Sequence, residues 1–135
     1  MKLALTGLKQ LEIQDNNDGP EPVLPSGHVR MRVLCCAICR TDAKMWEQGH
    51  RDLVLPRVLG HEMVVADDLG CRYVVWPGHS CGTCQYCQAG RENLCDQIQI
   101  TGFDHDGGFA KWIQVPEKSL IPLPDTLPDV CACFA

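Results

Sequence analysis

The chain has 135 residues, enough for one packed domain but not for a nucleotide-binding domain beside it. Hydrophobic residues make up 45% and charged residues 21%, an ordinary globular balance. The net charge of −5 and the 6% aromatic content argue against nucleic acid and anionic membranes as partners. No run of about 18 apolar residues occurs, so no membrane span is expected. The start MKLALTGLKQLEIQD turns polar too soon for a secretory signal, so a cytoplasmic location is expected.

In chain order, the N-terminal segment reads as short strands, with Leu8, Leu11 and Ile13 roughly alternate after a turn at Gly7. Residues 15–27 are rich in turn formers and read as a loop. Val29, Met31, Val33 and Cys35 alternate with polar neighbours, which predicts a half-buried strand. Thr41 and Asp42 are expected to cap a short helix through Lys44, Met45 and Trp46. Val58 to Ala66, interrupted by Gly60, and Arg72 to Trp76 read as strands. Residues 77–108 show little apolar periodicity. Ala110 to Val115 returns to strand, and a helix is expected to start after Pro128. Many short strands between Gly and Pro predict a mainly β barrel or sandwich. No G-x-G-x-x-G or P-loop is present, so no nucleotide fold is expected within this chain.

Ten cysteines in a chain without a secretory signal point to metal ligation more than to disulfides. Cys81, Cys84, Cys87 and Cys95 lie within fifteen residues, with Gly82 and Gly90 letting the backbone curl. Four thiolates suit tetrahedral zinc and leave no open position, which marks a structural site. An iron–sulfur cluster is the rival. The ferredoxin run, however, ends in a gap of three before a Cys-Pro pair, whereas here the gap is seven and Asp96 follows Cys95. A second, dispersed set is Cys39-Arg40-Thr41-Asp42 with Gly60-His61-Glu62. A Cys, a His and a nearby acid form an incomplete catalytic zinc set. On spacing alone, His61 and Glu62 read more readily as a hydrogen-bonded core pair than as metal ligands. Cys36-x2-Cys39 has redox-pair spacing, but Cys35, Cys36, Cys131 and Cys133 read as small buried residues.

Cys-Arg-Thr-Asp, Leu-Gly-His-Glu, the four-cysteine loop and Asp106-Gly107-Gly108-Phe109-Ala110 occur here in that order. The combination resembles the N-terminal, GroES-like catalytic domain of zinc-dependent medium-chain alcohol dehydrogenases. The resemblance covers nearly all of residues 1–135. It implies a mainly β, GroES-like, partly open barrel with short helices and a four-cysteine zinc lobe at about 78–96. It also implies that the cofactor-binding Rossmann domain lies outside this chain. By the same resemblance, Cys39 and His61 are catalytic zinc ligands, and Glu62 is a nearby carboxylate able to join them. Asp42 fixes the His61 ring. Thr41 receives the substrate proton, and Arg40 touches the cofactor pyrophosphate. Cys81, Cys84, Cys87 and Cys95 are structural zinc ligands.

The implied reaction is oxidation of a small alcohol or polyol, with zinc as Lewis acid and NAD(P) as hydride acceptor. A homodimer or homotetramer is implied for the full-length enzyme. The isolated domain is expected to be inactive. The alternative is a stand-alone, zinc-stabilised binding module without catalysis. Three features depart from the family pattern. Lys44 stands where the proton relay commonly ends in His. The stretch from His61 to Cys81 is short, with Gly70-Cys71-Arg72-Tyr73 in place of Gly-Asp-Arg-Val. The third catalytic ligand is expected beyond Ala135, with Cys131 and Cys133 early in register.

Overall fold

The computed structural model describes residues 1–15 and 23–133. The loop expected at 15–27 therefore lies partly outside the described residues. Three antiparallel sheets are formed. The largest has five strands in the order β10-β6-β5-β3-β9. These are β10 (Leu120–Pro122), β6 (Arg72–Val75), β5 (Glu62–Ala66), β3 (His28–Ala37) and β9 (Trp112–Pro116). A second sheet orders β2 (Gln10–Gln14), β1 (Lys2–Gly7) and β4 (Arg57–Val58). A small third pairs β7 (Gly78–His79) with β8 (Gln99–Ile100).

The first two sheets are joined through the segment before β9. Leu3 N–H donates to the Phe109 carbonyl and Lys111 N–H to that of Met1. Val33 N–H, on β3, donates to Lys111. The sheets thus curl into a partly open barrel with β2 and β10 at its free edges.

Strand β5 shows why the apolar run Met63-Val64-Val65-Ala66 lacks alternation. All four residues are at most 1% exposed. Met63 and Val65 face a core with Met31, Val75, Ile113 and Val115. Val64 faces the opposite way, onto Leu123, Ala132 and Cys133. A strand covered on both faces needs no polar face. Helix α3 (Asp129–Ala132) supplies part of that outer cover. A third cluster, of Leu5, Met45 and Leu59, seats helix α1 (Arg40–Gln48) against the second sheet.

Several local expectations are corrected. The N-terminal segment forms two short strands, but the chain turns at Leu8 and Lys9 rather than at Gly7, with Lys9 at φ 59°. The interruption expected at Gly60 is present: its φ is 91°, and the stretch forms β4 and β5 on either side. Helix α1 is capped not by Thr41 or Asp42 but by Cys39. The Cys39 sulfur accepts from Thr41 N–H, and its own N–H donates to the Asp42 carboxylate. Cys131 is exposed rather than buried, because α3 turns only one side to the sheet. The region at 77–108 holds β7, β8, the one-turn helix α2 (Gln85–Gln88) and a 3-10 turn at Glu92–Leu94. Among the described residues, no helix is long and apolar enough to cross a membrane.

The Asp106-Gly107-Gly108-Phe109 segment is laced to residues 58–60. Gly107, Gly108 and Phe109 N–H groups donate to the carbonyls of Val58, Gly60 and Leu59 at 2.7, 2.8 and 3.0 Å. Asp106 accepts from Val58 N–H at 3.1 Å and pairs with Lys2 and Arg57. A Cβ on Gly107 would stand 2.2 Å from the Gly60 carbonyl oxygen. That neighbour is backbone and cannot swing aside. We therefore expect Gly107→Ala to lower unfolding free energy by about 3 kcal/mol or more, the upper range for overpacking. Urea denaturation of both proteins checks this.

Candidate metal centres

Residues Cys39 and His61 arrive from different elements. Cys39 sits between the end of β3 and the first turn of α1. His61 follows Gly60, just before β5. The Cys39 sulfur lies 3.4 Å from His61 Nε2. With zinc–sulfur and zinc–nitrogen bonds of usual length, a tetrahedral ion separates two such donors by about 3.5 Å. The pair therefore fits one zinc ion.

Asp42 lies on the other side of the ring, with Oδ1 3.8 Å from His61 Nδ1. That is ion-pair range rather than hydrogen-bond length. The carboxylate is 4% exposed, and its two oxygens accept Cys39 N–H at 3.0 Å and Gly60 N–H at 3.1 Å. Ligand atoms of Cys39, Asp42 and His61 all lie within 4.8 Å of one another. Glu62, the first residue of β5 and opposite Ala37, is not in that group. Thr41 and Arg40 are exposed at the start of α1, as is Lys44 one turn on. Cys133 is directed away from the group, onto Cys35.

The four lobe cysteines also converge, with all four sulfurs within 4.8 Å of one another. Cys84 and Cys87 sulfurs are 3.4 Å apart, and those of Cys81 and Cys87 are 3.9 Å apart. The edge of a zinc tetrathiolate is about 3.8 Å. The backbone is ready for the negative charge of such a site. Cys81 N–H points at the Cys95 sulfur and Cys84 N–H at that of Cys81, both at 3.4 Å. Hydrogen bonds from Thr83, backbone and hydroxyl, and from Cys84 N–H hold the Cys81 thiol down to about 6. Burial pushes the Cys87 thiol up to about 11, with Cys84 bonded beside it. Cys81 and Cys87 thus hold their protons unequally.

Sequence reading did not single out His79, His28 or His105. His79 Nε2 is 2.7 Å from the buried Thr101 hydroxyl, and burial lowers the His79 pKa. These histidines line a broad, open cleft that includes none of the residues of the two cysteine groups.

Comparison with known proteins bears on the same region. The model of the alcohol dehydrogenase GroES-like domain matches residues 25–125. The chain is 34% identical over 131 residues to an L-threonine 3-dehydrogenase of Anaeromyxobacter, covering 87% of this chain and 38% of that protein. It is 35% identical over 113 residues to a probable alcohol dehydrogenase, AdhA, of Mycobacterium tuberculosis, covering 72% and 33%. Among solved structures, RspB from Escherichia coli in complex with NADH superposes with a TM-score of 0.87 at 29% identity, covering 98% of this chain and 41% of that one. A putative zinc-binding dehydrogenase of Sinorhizobium meliloti, bound to NADP, gives 0.83 at 32% identity, covering 98% and 41%. The chain thus spans well under half the length of these proteins. The match over residues 25–125 covers well over half of the chain, and the chain belongs to the alcohol dehydrogenase GroES-like domain family.

Proposed function

We propose that the chain is the zinc-binding, substrate-side domain of a dehydrogenase that oxidises a small alcohol or polyol with NAD(P). The observation that carries this reading is the Cys39 sulfur 3.4 Å from His61 Nε2, with Asp42 behind the ring. Zinc bound there supplies Lewis acidity toward an alcohol oxygen. Cys39 and His61 donate to it, and Asp42 orients His61. Glu62, next to His61 in the chain, is the further carboxylate that would join them. The Thr41 hydroxyl, exposed beside Cys39, takes the substrate proton toward solvent. Arg40, exposed on the same turn, would pair with the phosphates of a dinucleotide. The hydride acceptor is held by a domain other than the one described. Cys81, Cys84, Cys87 and Cys95 hold a second, structural zinc. The same reading takes the whole enzyme to be a cytoplasmic homodimer or homotetramer.

The lobe zinc is tested by metal analysis. We expect one tightly held zinc per chain, lost in Cys84→Ser. Thiols must shed protons to ligate, so zinc uptake releases protons and weakens as pH falls. Affinity should drop steadily from alkaline pH down through about 6, where even Cys81 becomes protonated. Competition with a chromophoric chelator across that range measures it.

The Cys39–His61 pair should take a second zinc more weakly, since two donors and a carboxylate hold less firmly than four thiolates. His61→Ala should abolish only this weaker uptake in calorimetric titration and leave the lobe zinc in place. Unchanged binding of two ions would refute the assignment.

In the whole enzyme, Thr41→Val should lower kcat by about 100-fold or more, the usual share of a positioned proton-transfer group. Steady-state alcohol oxidation reads this directly. An unchanged kcat would remove Thr41 from the reaction.

A further inference from the structure

Outside both zinc groups, two more cysteines meet. Cys35 lies on β3, and Cys133 ends the turn of α3. Their sulfurs are 2.9 Å apart, closer than any sulfur pair measured in the zinc lobe. Neither belongs to a group of potential metal ligands. The two residues are 98 positions apart in sequence, so the fold alone brings them together.

The surroundings aim the two sulfurs at each other. Cys35 sits opposite Val64 in the sheet and packs with Val64, Leu123, Ala132 and Cys133. Its neighbour Cys36 points to the other face of β3, toward Gly60, Gly108 and Met63. Cys36 is thereby kept from competing for Cys35. The position of α3 does not rely on the sulfurs. Arg72, on β6, donates to the Pro124 and Leu127 carbonyls at 3.0 and 3.1 Å and to the Asp129 carboxylate. This guanidinium clamps the approach to α3 and delivers Cys133 onto β3. Closing to the disulfide length of about 2.05 Å requires the sulfurs to approach by about 0.9 Å.

We propose that Cys35 and Cys133 form a dithiol modification site, which a small-molecule disulfide such as oxidised glutathione converts to an internal disulfide tying α3 to β3. Cys35 is half-buried and Cys133 buried, so Cys35 reacts first. Its thiolate attacks one sulfur of the small disulfide. A mixed disulfide forms, and one small thiolate leaves. Cys133 then attacks the Cys35 sulfur, the internal bond forms, and the second small thiolate leaves. Two protein thiols lose two electrons and two protons. The small disulfide gains both and becomes two thiols. Burial, with Cys133 and Asp129 alongside, pushes the Cys35 thiol up to about 12. The exchange is therefore slow compared with that of an activated cysteine.

The test uses the zinc-loaded chain in mildly alkaline buffer with oxidised glutathione. Remaining thiols are alkylated, and the protein is digested for peptide mapping. The expected product is a peptide linked through Cys35 and Cys133. It disappears on treatment with dithiothreitol, and while present it raises the thermal midpoint by several degrees, as a cross-link closing a long loop should. Cys133→Ala should remove that rise and leave Cys35 carrying glutathione. Cys35→Ala, the second variant should the first fold poorly, should equally remove the link. Recovery of Cys35 and Cys133 unlinked, while exposed Cys71 and Cys131 carry glutathione, would overturn the proposal. A link from Cys35 to Cys36, or from Cys36 to Cys39, would overturn it as well.

Discussion

One buried carboxylate holds the candidate catalytic region in shape. Asp42 accepts the N–H of Cys39 with one oxygen and the N–H of Gly60 with the other. These two backbone groups belong to the residues that carry, or immediately precede, the Cys39 and His61 side chains. A buried acceptor that loses its donors costs about 1–3 kcal/mol for each unmet partner, more when charged. The carboxylate is therefore satisfied only when the start of α1 and the approach to β5 lie side by side. Orientation of the His61 ring is then a by-product of backbone assembly, since Oδ1 already stands beside Nδ1.

The same economy recurs in the cysteines, which serve three unlike ends. Four gather in a lobe where short turns replace a core, and metal would stand in for hydrophobic burial. Cys39 caps a helix while its sulfur faces an imidazole. Cys35 and Cys133 behave as apolar filler on the outer face of β5, within a cluster of Val64, Leu123 and Ala132. Chemistry is assigned by neighbours. Thr83 and Cys84 N–H groups draw Cys81 toward thiolate, while burial keeps Cys35 and Cys36 as thiols.

Much of this was legible in the sequence, for identifiable reasons. The lobe spacing is local, so the chain cannot avoid bringing Cys81, Cys84 and Cys87 together. The alternation of Val29, Met31 and Val33 marked β3, but it does not extend to Cys35: a register shift between Val33 and Cys35 turns Cys35 to the opposite face. Strand β5 was visible as an apolar run, and its break from β4 was legible too, because glycine is the residue that takes a positive φ without strain. The cap of α1 was misassigned because Thr and Asp are common caps and Cys is not. The exposure of Cys131 and the meeting of Cys35 with Cys133 depend on how a four-residue helix lies on a distant sheet. No local pattern encodes that. Ordering Cys39 with His61 came from family resemblance, and their 3.4 Å approach is a product of the tertiary fold.

Gly60, Gly102, Gly107 and Gly108 converge on one spot. A Cβ on Gly102 or Gly107 would meet the Gly60 carbonyl, and one on Gly60 or Gly108 would meet the Cys36 sulfur. Main chain thus touches main chain there, without side chains as spacers. Peptide units have nearly fixed dimensions, whereas side chains can change rotamer and volume. The placement of His61 is consequently indexed to a ruler that does not stretch. Exchanges of similar size among Met31, Val65 and Ile113 can alter how the barrel is filled and still leave that ruler untouched. Room for drift in the core and accuracy at the imidazole are, in this fold, separate accounts.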